Sequence, residues 1–191
     1  MRMVHHTTAR AGVYVYDAAA IDWAATGKAG VLQRTVRADP ARGHYLGLIA
    51  FEPGTRSGLH QHKGVATSFF AAGGLTDWDG SARVNQVGIN RDGSTHDAIA
   101  YEATWLVGRL EGPVLYPPED GPTHDLHAGA RAQAFAPPAA DHRPSENITI
   151  DALEQRACGV AGLRVQQGFD YAGSATPQRS MFQWIAAPRT T

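Results

Sequence analysis

One cysteine, Cys158, is all the chain has in 191 residues, which excludes an internal disulfide and any zinc site built on paired CxxC ligands. Its ordinary reading is a small free thiol at a turn or helix end. No apolar run approaches the roughly 20 residues of a membrane span, and the N-terminal residues carry no stretch that reads as a signal peptide. A cytoplasmic location is therefore expected. Charge of one sign is also missing: 17 Lys and Arg against 18 Asp and Glu leave a formal charge of -1. That balance gives no basic field to gather phosphate backbones or acidic lipid, so neither nucleic acid nor membrane is expected as a partner. There is no P-loop, dinucleotide fingerprint or Ser/His/Asp series, which leaves nucleotide chemistry and acyl transfer without support.

What the chain does have is 21 glycines and 11 prolines, set between short aromatic and β-branched runs. This texture favours many short strands over long helices and predicts an all-β body around one core. Residues 31–37 read as a mixed strand. Residues 45–51 read as a more apolar strand, buried on both faces and closed by the turn Glu52-Pro53-Gly54-Thr55. Further strands are expected at 67–72, 86–89 and 104–110, at the short spacing of a sandwich or barrel. Only 150–157 reads as a helix, with Gly159 placed as a C-cap.

The most informative feature is His60-Gln61-His62, framed by Gly54 and Gly74. On an extended strand, residues two apart face the same side, so both imidazoles can reach one divalent ion. Gly54-x5-His60-x-His62-x4-Thr67-x6-Gly74 resembles the first motif of the cupin superfamily, the RmlC-like jelly rolls, with Thr67 at the place of the motif's Glu. Of the second motif, Gly93 and His96 are kept, while Asn85, Arg91 and Ala100 stand at its other fixed positions. The segments 73–80 and 93–96 look most like the cupins of ChrR-type anti-sigma factors and of acetylacetone and dihydroxyacetophenone dioxygenases. The resemblance covers about residues 30–110.

That resemblance implies a jelly-roll barrel over 1–112 and a metal held by His60, His62 and His96, with Fe, Zn, Ni or Mn as the ion. It also implies a small-molecule substrate. Replacement of the anionic ligand by Thr67 opens the site and favours a non-haem metal oxygenase acting on a small diketone or aromatic ketone, with the metal as Lewis acid. The alternative is a metal- or ligand-sensing regulatory cupin without catalysis; residues 1–29 are too few for the helical sigma-binding domain such a regulator would carry. No residue is assigned a catalytic role. Thr67, His124 and His127 are candidates for an additional ligand or a substrate contact; the two histidines are otherwise solvated loop residues. Phe69, Phe70, Trp78, Trp105 and Arg109 are candidates for the cavity wall, though only one of Phe69 and Phe70 can face it.

Residues 113–144 turn rich in Pro, Ala, His and Asp, the texture of a linker or a long surface excursion. Beyond it, 161–165 and 181–190 echo 29–33 and 46–55. A C-terminal extension over 113–191 is thus expected to carry the opening strands of a partial second cupin repeat, or to serve dimerisation. An open edge along 179–187 would invite pairing, and a homodimer is expected.

Overall fold

The computed structural model describes residues 5–7, 14–117, 145–157, 159, 163–170 and 179–185. Cys158, His124, His127 and His142 fall outside them. The described residues are nearly all β, and none of their helices is long and apolar enough to cross a membrane. Two compact units are present, residues 1–147 and 148–191.

In chain order the first unit holds β1 (His5–Thr7), β2 (Tyr14–Tyr16), β3 (Ala24–Ala25), β4 (Val31–Asp39), β5 (His44–Phe51) and β6 (His60–His62). There follow β7 (Ala66–Ala72), β8 (Gly74–Asp77), β9 (Gly80–Arg83), β10 (Gln86–Asn90), β11 (Thr95–His96), β12 (Thr104–Glu111) and β13 (Val114–Leu115). β14 (Ser145–Thr149) joins the edge of a seven-stranded sheet of order β14-β10-β7-β12-β5-β4-β3. A second sheet, β11-β6-β13, and the hairpin β8-β9 supply the rest of a cupin jelly roll. The barrel sheets thus include residues past 112, since Val114 pairs with His62 and Leu115 with Gln61.

Why these residues form these layers is plainest in β12. Thr104, Leu106 and Gly108 are buried, while Trp105, Val107 and Arg109 are exposed, the period-two pattern of a sheet with one face inward. Its neighbours keep step: Leu106 pairs with Ile49 and Phe70, and Gly108 with Gly47 and Ser68. The inward residues Val31, Phe51, Phe70, Ala82, Ala100 and Leu106 form the core, with Ile49 and Leu75 packed on it. β5 does not fulfil the expectation of burial on both faces. Leu46 is 36% exposed, because it lies beside Arg109 on the outer side of the sheet, the side away from the core.

In the second unit the expected helix at 150–157 is absent. A single 3-10 turn, Ile150–Ala152, is followed by β15 (Arg156–Ala157), which pairs with β16 (Leu163–Asp170). The buried Gln166 amide donates to the carbonyls of Ile150 (2.8 Å) and Leu153 (2.7 Å). The Ile150 carbonyl accepts from Leu153 N–H (3.0 Å) within the 3-10 turn, and the Gln166 amide fills its second acceptor position. The strand expected at 179–187 is present as β17 (Arg179–Ile185), at the end of a sheet ordered β15-β16-β17.

The pairing within that sheet repeats that of β3-β4-β5. Ala24↔Gln33 and Ala25↔Leu32 correspond to Arg156↔Val165 and Ala157↔Arg164, a shift of 132 positions (24 to 156, 33 to 165). Val31↔Phe51 runs to Thr35↔Gly47, then a bulge, then Arg37↔Leu46. Leu163↔Ile185 runs to Gln167↔Met181, then a bulge, then Phe169↔Ser180. Even the preceding turns match: Ala18–Ala20 and Ile150–Ala152 are 3-10 turns, and Arg34 donates to the Ala18 carbonyl (3.3 Å) as Gln166 does to that of Ile150.

Candidate metal centre

His60 and His62 face the interior from β6, and His96 pairs directly with His60 from β11, which puts all three rings on one side of the second sheet. All three are buried. Gln61 points the other way and is 1% exposed. Its amide donates to Gly93 O (3.1 Å) and Thr95 Oγ1 (3.2 Å), tying the strand that carries two histidines to the segment that carries the third. Gly93 has φ of 83° and donates its N–H to His62 O at 2.7 Å, a turn that L residues adopt only with strain. Asn85, at the place of the second motif's first glycine, also has a left-handed φ, 66°. Asn is the residue that most readily substitutes there, so the backbone of the motif survives its altered sequence.

Two of the imidazoles are fixed in tautomer by acceptors. His60 Nδ1 donates to Gly58 O (2.7 Å) and His96 Nδ1 to Asp77 Oδ2 (2.8 Å), which leaves Nε2 as the lone-pair nitrogen on each ring. His62 Nε2 lies 3.1 Å from His96 Nε2, a distance at which the two nitrogens share a proton or a cation. Nitrogens bound to one ion at about 2.0–2.1 Å, with bond angles of about 90–110°, stand about 2.8–3.4 Å apart. One ligand atom from each of the three residues lies within 4.8 Å of the others. The donor set therefore fits a divalent transition metal, and its all-imidazole chemistry does not select among Fe, Zn, Ni and Mn.

Asp77 ends β8, and its side chain is 12% exposed. Burial by itself would raise its pKa, but hydrogen bonds from the His96 ring and from the N–H groups of Asp79 and Gly80 outweigh that and hold the carboxyl below its ordinary value. An ionised Asp77 makes His96 a better donor and locks its ring.

The cluster opens into a cavity of about 150 Å³, close to the volume of about 150 Å³ that holds a benzene molecule in an engineered protein core. Its walls are mostly apolar: Val31, Ile49, Phe51, Phe70, Leu75 and Leu106. The polar lining includes Thr26, Lys28, Ser57, Ser68 and Asn90, and Asn90 Oδ1 is buried with no hydrogen-bond partner among the described residues.

Of the wall candidates, Phe70 alone lines this cavity. Phe69 (39% exposed), Trp105 (47%) and Trp78 (60%) point outward. Arg109 lies on the outer side of β12, ion-paired to Glu111. Thr67 is not in the lining either, because Ala66 and Ser68 on each side of it are. Alternation puts Thr67 beside Arg109 on the outer face, so it does not occupy a ligand position. Asp77, Lys28, Tyr116 and Gln61 carried no motif signature. The only trace in sequence was the Asp-rich turn between the motifs, too common a pattern to single out one carboxylate.

Residues 5–114, more than half of the chain, match the family model of the ChrR cupin-like domain. Among solved structures, a proposed acetylacetone dioxygenase from Methylibium petroleiphilum PM1 is similar at a TM-score of 0.52 and 16% identity, over 62% of this chain and 90% of that one. An RmlC-like cupin protein from Ralstonia eutropha JMP134 is similar at 0.51 and 16% identity, over 64% and 90%. A proposed dioxygenase from Nostoc punctiforme PCC 73102 reaches 0.57 at 11% identity, over 81% of this chain and 55% of that one. No curated protein matches the sequence. At these identities the likeness is one of fold.

Proposed function

The chain belongs to the ChrR cupin-like domain family, and from that premise we propose that it is a metal-dependent oxygenase acting on a small diketone. The observation that carries this reading is three buried imidazoles, two of them with fixed donor nitrogens, at the wall of a benzene-sized, largely apolar cavity. His60, His62 and His96 would hold a divalent ion, which when bound supplies Lewis acidity and, as iron, dioxygen chemistry. Gly58 O and Asp77 orient two of the rings. The apolar walls exclude water and strengthen electrostatic contacts at the cluster. A cavity of this size favours a compact diketone over an aromatic ketone with ring substituents.

A regulatory, sensing cupin is the second reading. What favours it is that Asp77, the only carboxylate in the described lining, is engaged by His96 and is not poised as a general base. The deciding experiment is elemental analysis of protein purified without a His tag, followed by oxygen uptake with acetylacetone and related diketones. We expect about one equivalent of metal and substrate-dependent uptake. Metal without uptake on any diketone would leave the sensing reading; failure to retain metal after reconstitution would sink both.

We further propose that 146–185 opens a second cupin repeat. The matching registers, bulge and turns support this.

A further inference from the structure

Lys28 is the one lysine or arginine in the described lining of the cavity. Its position is held from several sides. In the turn before β4, Thr26 Oγ1 accepts from Lys28 N–H (3.3 Å) and donates to Val31 O (3.1 Å), while Val31 N–H donates to Lys28 O (3.2 Å). The ammonium donates to Ser57 O and lies 4.8 Å from the centre of the Tyr116 ring. That ring in turn stands 5.7 Å from the His60 ring. Gly58 makes room for it, since a Cβ at 58 would collide with the Lys28 ammonium. The carbonyl of the same glycine fixes His60. One short turn thus positions both a metal-ligand candidate and a cation.

We propose that Lys28 is a substrate-orienting, specificity-determining residue that selects a compact, planar ligand carrying one anionic oxygen, such as an enolate. The inference rests on the oxygenase reading for its setting and deepens it by naming the charge of the substrate. In the described lining the single carboxylate, Asp77, is turned to His96, and the inward position Ala66 supplies none. An anion is the ligand charge that suits such a cavity, and a neutral analogue would forgo a charge-assisted hydrogen bond in an apolar enclosure. The Tyr116 face and the apolar wall set the plane of the ligand.

The full chain, stripped of metal by a chelator, is titrated with tropolonate, a planar anion whose absorbance reports binding, and with tropone, which lacks the anionic oxygen. Wild type should bind tropolonate about tenfold more tightly than Lys28→Met, Lys28→Arg should keep most of that affinity, and tropone should bind all three alike. Equal tropolonate affinity in wild type and Lys28→Met overturns the assignment. So does a parallel loss of tropone binding, or no tropolonate binding by wild type. Repeating the titration after zinc reconstitution separates the two readings: absence of a zinc effect counts against the metal site and leaves the Lys28 result standing.

Discussion

Residues 18–51 and 150–185 share one scheme of turns, pairing and bulge, but in the described structure only the first leads into a histidine cluster. The comparison separates scaffold from chemistry. What recurs is backbone geometry, and the side chains that maintain it differ. Arg34 reaches the Ala18 carbonyl while its guanidinium stacks on Trp23 at 4.5 Å; Gln166, 132 positions on, meets the equivalent Ile150 carbonyl with a buried amide. The position equivalent to Lys28 holds Val160 in sequence. The cation is therefore a side-chain difference within the shared scheme, whereas the ligands belong to segments beyond it, the Gly58–His62 crossing and the Gly93–His96 return.

The sharpest way to break the comparison is to delete a ligand in one region and a buried cap in the other. His62→Ala should lower divalent-metal affinity at least about a hundredfold, whereas Gln166→Ala should leave it unchanged. Competition with a chromogenic chelator measures both; a matched loss in the two variants would show that the second region contributes to the site. Next in size is Asp77→Asn, which keeps an acceptor for His96 Nδ1–H but removes the charge. A loss of about 10- to 100-fold in metal affinity is expected, with a changed ligand-field spectrum in the cobalt form. Because the Asp77 carboxyl is held below its ordinary value of 3.8, its share of stability is complete above that pH and is lost as the pH falls below it. Wild type and Asp77→Asn should therefore converge in stability in acid.

The third test concerns the scaffold alone. Gln166→Ala removes a buried amide donor from the Leu153 carbonyl and from the Ile150 carbonyl, which keeps Leu153 N–H, and should cost about 1–3 kcal/mol. Arg34→Ala, whose guanidinium is partly exposed, should cost about 1 kcal/mol or less. Amide exchange within 150–170 and 18–37 reads the two regions separately. Equal costs would mean that the two caps are not ranked by burial.

The pattern of success in reading the sequence follows from the same physics. A ligand pair two apart on a strand, with glycines at turns that need positive φ, is a local signal, and His60, His62 and His96 came together as the spacing implied. Asp77 meets His96 at a separation of 19 positions, and Lys28 meets Ser57 at a separation of 29. Such contacts are made by topology, and no local pattern announces them. The helix expected at 150–157 failed for a related reason: its residues and the Gly159 C-cap position suited a helix, but pairing of Arg156 and Ala157 with β16 won. Facing direction was the other weak point. Counting from the motif put Thr67 at the metal, although one residue of register decides which side of a sheet is reached.

That register gives the smallest and most discriminating prediction. Ala66, Ser68 and Phe70 line the cavity, so Thr67 and Phe69 must face away. Thr67 lies opposite Arg109 in the register of β7 and β12. A carboxylate at 67 would meet that guanidinium, already paired with Glu111, and not the histidines. Thr67→Glu should therefore leave metal dissociation under a chelator unchanged, while cross-strand attraction shifts stability by at most about 0.2–1 kcal/mol. Ala66→Glu places the same group on the inward side, beside Asn90 and Leu110 in register, and should slow metal release if the carboxylate reaches the cluster. Slower release from Thr67→Glu than from Ala66→Glu would mean that β7 is turned over relative to the histidine sheet, and the assignment of inward and outward faces would have to be reversed along the whole strand.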